Sequence, residues 1–356
     1  MDNGKYYLSS SPHFSFGGST QKIMLGVLIA LMPEVIAGVV FFGVRALILV
    51  LVSVLGAVIF EALFQKITNQ KIIVKNLSAC VTGVMLALVC SPTTPVWMIL
   101  LGDLVAIVVA KGLFGGLGSN VFNPALTGRA VLLISFPSAL GASWIEPKIN
   151  SNAVMNMDAV SSATPLTAIK NGAFEVSSST YFDFFIGNKA GCIGETSVLL
   201  ILLSFIFLLV VKIIDWRAPL SMVATVVLGT FLASIKNGFD FALSQSIFSV
   251  LTGGLMFGAV FMVTDYATTP VTHKGRLIFG FGCGLITFLI RQFGGYPEGV
   301  MFSILIMNSI APFLNNFNDR IYGYGKKGNR RPNVDKISME FDIKNATKVK
   351  DSGEAK

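Results

Sequence analysis

The residues best suited to chemistry lie in a short polar stretch, Asp158-Ala159-Val160-Ser161-Ser162-Ala163-Thr164-Pro165. A threonine hydroxyl can attack a phosphoryl centre when it is exposed and unencumbered. Ala163 keeps the neighbouring position small, and Pro165 holds Thr164 extended rather than helical. Asp158 is suited to orienting a metal–phosphate donor. The same residue types also make ordinary solvated turns, so composition alone leaves both readings open.

A second group is Asn120-Val121-Phe122-Asn123, directly before an apolar run. Asn123-Pro124 reads as a helix start, an N-cap followed by proline at the first helical position. Asparagine amides also offer both donors and acceptors to a ligand edge. A third group is ionisable and sits within or at the end of apolar runs: Glu61, Asp103, Arg129 and Asp265. Such residues are functional candidates in a membrane. The alternative is a buried ion pair, for example Arg129 with Asp103 or Glu61. Asp103, Asp265 and Glu61 are candidates for a cation-related role, since carboxylates are hard oxygen ligands.

Other chemistries find little support. Cys80, Cys90, Cys192 and Cys283 include no two at metal-ligand spacing, and there are two histidines. No metal site, protein-ligated iron–sulfur cluster or haem is expected from this chain alone. Cys80, Cys90 and Cys283 read as small apolar residues in helices. The glycines of 112–118 lack the Lys-Ser/Thr of a phosphate loop. His13 and His273 fall at membrane edges, so no catalytic triad is assigned.

The elements that position these residues are membrane helices. The chain is 53% hydrophobic and only 13% charged, against about 25% charged in a soluble domain. Its net charge of +8 therefore reads as positive-inside bias, with no nucleic-acid partner. Ten apolar runs are predicted, at 21–43, 44–66, 76–90, 96–113, 123–141, 196–214, 219–235, 246–264, 276–293 and 298–316, most near the ~20 residues that cross a bilayer. The first run is too long for a signal-peptide core. A polar tail at 1–20 precedes the runs, a loop at 142–195 carries Thr164, and a basic tail fills 317–356.

Ten spans put both termini on one side of a cell membrane. With the termini inside, inside segments carry 20 Lys and Arg and outside segments six, Arg129 lying within a span. The rule that positive charge stays inside then makes both termini cytoplasmic and the Thr164 loop extracytoplasmic.

The halves 21–141 and 196–316 also repeat. Thr82-Gly83, Thr93-Thr94-Pro95, Phe114-Gly115-Gly116 and Asn123-Pro124 recur in order as Thr252-Gly253, Thr268-Thr269-Pro270, Phe293-Gly294-Gly295 and Asn308 with Pro312, at offsets of 170 to 185. Five spans per half invert the second relative to the first. Inverted repeats place ligand sites near the midplane at broken helices, here expected at the Thr-Thr-Pro and Phe-Gly-Gly segments.

Asp158, Ser161, Ser162, Ala163 and Thr164 resemble the flavinylation motif Asp-x-x-Ser/Thr-Gly/Ser-Ala-Thr. In that motif a flavin transferase joins flavin mononucleotide (FMN) to the last threonine. Ser162 replaces the commoner glycine. Ser10-Ser11-Pro12-His13, Asn123 to Arg129, Gly194-Glu195-Thr196, Thr264 to Pro270 and Tyr296 to Phe302 resemble the D subunit (RnfD) of the Rnf complex, an ion-translocating ferredoxin:NAD oxidoreductase. The B subunit of the sodium-translocating NADH:quinone reductase is related; the short N-terminal tail favours the Rnf member. The resemblance runs from about residue 8 to 320.

The resemblance implies an all-α polytopic protein of urea-channel-like architecture in the bacterial inner membrane. It implies covalent FMN on Thr164 and a second, non-covalent flavin (riboflavin) near the cytoplasmic side. Asn120 and Asn123 resemble part of that second site, and pseudo-symmetry adds Thr268 and Thr269. Implied partners within the complex are the covalent-FMN G subunit, the NAD-reducing C subunit and the membrane A and E subunits, with the flavin transferase for maturation. A solute channel or transporter of the same architecture is the competing class, and fold does not fix function.

Overall fold

A computed structural model describes residues 19–141, 147, 178–294 and 298–315. Among them the chain is helical, without strands. The helices are α1 (Thr20–Phe42), α2 (Val44–Ile67), α3 (Ser78–Leu88), α4 (Val96–Leu104), α5 (Pro124–Ser135), α6 (Pro137–Gly141), α7 (Ser178–Ile186), α8 (Val198–Val210), α9 (Arg217–Ser234), α10 (Phe239–Leu251), α11 (Leu255–Phe257), α12 (His273–Phe293) and α13 (Val300–Leu314). Wider π-helical turns continue α4 over Val105–Gly112 and α11 over Gly258–Met262.

Helices α1, α2, α9 (with its 3-10 extension to Asn237) and α12 are long and apolar enough to cross a membrane; α10 and α11 form a bent pair, and α3, α5, α8 and α13 are shorter apolar helices. The chain is a multi-pass membrane protein. Leu25, Ile29, Met32, Ile36 and Val40 stand exposed along α1, and Ile48, Leu51, Leu55, Ile59 and Leu63 along α2. That three-to-four spacing is one face of a helix, and in a bilayer its partner is lipid.

The opposite faces meet in a core that includes Leu31, Leu49, Leu86, Ile99, Leu132, Ile201 and Phe279. Small residues let backbones approach. A Cβ on Gly280 of α12 would lie 2.3 Å from the Ala218 carbonyl of α9, and one on Gly284 would lie 2.6 Å from that of Met222. Caps fix helix starts: Ser19, Asn123, Ser197 and Thr272 accept from the N–H groups of Lys22, Leu126, Leu200 and Gly275. The N-cap expectation for Asn123, with Pro124 at N1, is met.

The structure departs from the predicted spans in three places. The run at 123–141 divides at Phe136, because Pro137 cannot continue α5. The run at 246–264 belongs to a helix that starts at Phe239; Asp240, Ser244, Gln245 and Ser246 lower its hydropathy and hide the start. That helix then breaks, α10 and α11 meeting at 59°. Gly253 and Gly254 both take left-handed φ, 72° and 64°, which no helix can contain and only glycine adopts at little cost. The mid-span break is therefore at 252–254, whereas the Thr-Thr-Pro segments and Phe114, Phe293 lie at helix ends. Thr82-Gly83 stays inside α3, since Val84 follows it rather than a second glycine.

Candidate functional site

A cavity of about 590 Å³ lies among α1, α3, the turn carrying Lys111, the start of α5 and the segment after Phe261. Its apolar wall includes Met24, Val27, Val81, Met85 and Phe261, and its polar groups include Asn120, Asn123, Lys111 and Asp265. The volume falls in the range of ~300–1,000 Å³ typical of small-molecule pockets. Asn120 and Asn123, paired in the sequence reading, share this cavity. Thr268 and Thr269 are not in its wall.

Local structure aims each polar group. Asn120 donates from Nδ2 to the Phe122 carbonyl at 3.1 Å; its own carbonyl oxygen has no partner among the described residues. Asn123 caps α5 through its side chain. Its backbone N–H is received at 3.1 Å by the Asn308 side-chain oxygen, with that amide oriented so its nitrogen donates to Ile304. The π-helical stretch ending at Gly112 adds a residue to one turn and carries Lys111 to the wall. There Nζ donates to Glu61 Oε1 at 2.6 Å and Ser78 Oγ at 2.7 Å. Glu61 is thus the buried partner of Lys111 rather than of Arg129.

Asp265 accepts from Thr268 Oγ1 at 3.0 Å, so Thr268 serves the cavity by orienting Asp265. Thr269 lines a neighbouring cavity of about 550 Å³, which shares Thr264, Asp265 and Tyr266 with the first. At the edge of that second space Asp215, in the α8–α9 loop, accepts from Arg217 Nη1 and Arg276 Nη1, both at 2.8 Å. Its partial burial works against ionisation, and these bonds outweigh it, holding the carboxyl below the usual aspartate range.

The remaining intramembrane candidates lie elsewhere. Arg129 pairs with Glu298 at 2.6 Å and touches Cys192 Sγ at 3.4 Å. The expected pairing with Asp103 or Glu61 is corrected: the 298–300 segment lies beside α5 and supplies the carboxylate. Asp103 is fully buried, its Oδ1 2.9 Å from Ser53 Oγ and its Oδ2 unpartnered. Ser53 is also 2.8 Å from the Gly83 carbonyl. One hydroxyl proton cannot fully serve both oxygens, so Ser53 is shared between the Asp103 carboxyl and the Gly83 carbonyl. Cys192, Glu195 and Glu298 place ligand-type atoms within 4.8 Å of one another, but the Arg129 guanidinium already occupies the Cys192 and Glu298 side of that group. Cys80 and Cys283 lie in helices as read, and Cys90 is buried just beyond α3.

The NQR2, RnfD, RnfE family matches residues 7–323. The chain belongs to that family. The D subunit of a proton-translocating ferredoxin:NAD(+) oxidoreductase complex from Clostridium ljungdahlii is 38% identical over 92% of this chain and 97% of its own. The D subunit of a Na(+)-translocating ferredoxin:NAD(+) oxidoreductase complex from Acetobacterium woodii is 41% identical over 90% and 96%. The D subunit of an ion-translocating oxidoreductase complex from Escherichia fergusonii is 35% identical over 90% and 99%.

Asp158, Ser161, Ser162, Ala163 and Thr164 lie outside the described residues. Sequence reasoning missed Glu34, Lys111, Lys189, Glu195, Arg291 and Glu298, all buried or largely so. Glu34 carried a usable signal, a carboxylate midway along an unbroken apolar run. Lys111, Glu195, Arg291 and Glu298 stand at or near run ends and Lys189 in the 142–195 loop, where charge is ordinary.

Proposed function

We propose that this chain is the membrane electron-transfer subunit of an ion-translocating ferredoxin:NAD oxidoreductase, carrying covalent FMN on Thr164 and riboflavin in the 590 Å³ cavity. The observation that carries the cavity assignment is the convergence of Asn120, Asn123, Lys111 and Asp265 on one largely apolar space. Full-length similarity to D-subunit proteins supports the complex; those two relatives differ in their ion, so the coupling ion is either sodium or protons.

A flavin bound in the cavity would supply the redox chemistry. The chain supplies the rest. Met24, Val81, Met85 and Phe261 offer apolar faces that exclude water. The free Asn120 carbonyl and remaining amide N–H suit a heterocycle edge that both donates and accepts. Lys111, held by Glu61 and Ser78, presents a fixed positive charge at the wall. Asp265, oriented by Thr268, presents an acceptor.

In this reading ten spans form two inverted five-helix repeats, with both termini cytoplasmic and Thr164 outside. The chain receives electrons from the covalent-FMN G subunit and delivers them toward the NAD-reducing C subunit, beside the membrane A and E subunits. Maturation requires a flavin transferase. The test is flavin fluorescence of the chain on a denaturing gel after co-expression with that transferase. A band that vanishes in Thr164→Val is the expected result; an unchanged band refutes the acceptor. Quinone reduction by the intact complex would instead favour the quinone-reductase B-subunit reading, and a flavin-free chain would favour a solute channel.

A further inference from the structure

The break between α10 and α11 leaves the last carbonyls of α10 without helical partners. The carboxyl end of a helix carries about half a negative charge, and bilayer interior offers no water to satisfy it. Here side chains of the chain itself do so. Arg291 of α12 donates through Nη1 to the Ser249 carbonyl at 2.7 Å and through Nη2 to those of Thr252 and Gly253 at 3.1 and 2.9 Å. Lys189, from the segment before the short turn Ile193–Glu195, donates its ammonium to the Leu251 carbonyl.

The two cations are held differently. Arg291 grips three carbonyls, while Lys189 holds one and has no ion pair among the described residues. Lys189 is nevertheless 3% exposed. Two buried acids on the elements packed here are also incompletely engaged: Glu195, whose carboxylate lies against Gly254, and Glu34, one turn of α1 from Gly38, which packs on Ile193. Both carboxylate oxygens of Glu34 and Oε2 of Glu195 are buried without a partner. Glu195 faces bare backbone: a Cβ on Gly191 or Gly254 would sit 3.4–3.5 Å from its carboxylate.

Carbonyls at a broken-helix end together with carboxylates are the oxygen donors that hold small cations in membrane proteins. We infer that the carbonyl end of α10, with Glu195 and Glu34 beside it, is a monovalent-cation site that Lys189 fills with its own ammonium. Arg291 is the fixed frame of the site and Lys189 its replaceable occupant. A long, flexible lysine arm with a single hydrogen bond can withdraw, and a small cation then takes the Leu251 carbonyl together with the unpartnered carboxylate oxygens. None of these residues lines the 590 Å³ cavity, so the inference stands apart from the flavin assignment.

The test uses the purified full-length chain in detergent, as wild type, Lys189→Ala and Lys189→Gln. Thermal unfolding is followed in sodium, potassium or methylammonium chloride against choline chloride at equal ionic strength. Lys189→Ala should gain a saturable rise in Tm of a few degrees with at least one small cation. Wild type should show none. Lys189→Gln, whose amide fills the space and donates to the carbonyl, should also show none. Identical unfolding of Lys189→Ala in small cations and in choline overturns the site, as does an equal response from wild type. If Lys189→Ala is not recovered folded in choline, recovery is compared across the same salts during purification. Monodisperse protein with a small cation alone supports the site, and equal failure in every salt overturns it.

Discussion

Glu298→Gln is the most informative single perturbation of the fold. It keeps the shape of the side chain and removes the charge that neutralises Arg129. The pair is short, 2.6 Å, and both side chains are largely buried, 11% and 16% exposed. Removing one member of a buried pair leaves an uncompensated charge and costs about 3–5 kcal/mol. At about 1.4 kcal/mol per tenfold change, the folded-to-unfolded ratio falls by roughly two to three and a half powers of ten. With about 2 °C of Tm per kcal/mol for a large domain, the midpoint should drop by about 6–10 °C. Thermal unfolding of the detergent-solubilised chain measures this. The double variant Arg129→Met with Glu298→Leu removes both charges and should be more stable than either Glu298→Gln or Arg129→Met alone. A loss below about 1 kcal/mol in Glu298→Gln, the range of exposed pairs, would refute the reasoning. So would a double variant whose cost is the sum of the singles.

Three further outcomes are expected. Asp103→Asn should change stability by less than about 1 kcal/mol, the scale of one hydrogen bond, because the amide keeps the shape and the contact with Ser53; Asp103→Leu, measured in the same unfolding assay, should cost more by removing that hydrogen bond. Asp215 has a folded pKa below its ordinary value, so its stabilising contribution is complete at neutral pH and disappears as pH falls below about 3.9. The stability gap between wild type and Asp215→Asn, followed by unfolding at stepped pH, should therefore close as pH falls below about 3.9. Gly254→Ala and Gly43→Ala, at φ of 64° and 82°, should each cost about 1–2 kcal/mol of backbone strain, read as a lowered Tm, since a new Cβ makes no contact closer than 3.5 Å at either position.

Much of the helical layout was legible because lipid imposes a simple pattern. The predicted 21–43 and 44–66 correspond to Thr20–Phe42 and Val44–Ile67, since Gly43 interrupts two long apolar faces. Asn123-Pro124 announced its cap for a local reason, one side chain and one N–H three residues on. The bend at 252–254 was less legible, because hydropathy averages over a break that depends on two consecutive left-handed glycines. Ion-pair partners were not legible at all. Arg129 and Glu298 stand 169 residues apart, and which carboxylate meets an arginine depends on which helices pack together. The candidate cavity sits between these cases. Asn120 and Asn123 were visible as neighbours, while Lys111 reaches the same space from the helical turns that continue α4 and Asp265 from the segment before α12.

The measurement that bears most directly on the central proposal is the flavin released when the purified, flavinylated chain is denatured. Riboflavin should be released in amounts equimolar with the chain, distinct from the FMN that stays attached at Thr164. Asn120→Leu should abolish the released flavin and leave the covalent one intact. A chain that carries its covalent FMN yet releases no flavin, or an Asn120→Leu chain that releases as much as wild type, would contradict the assignment of the cavity.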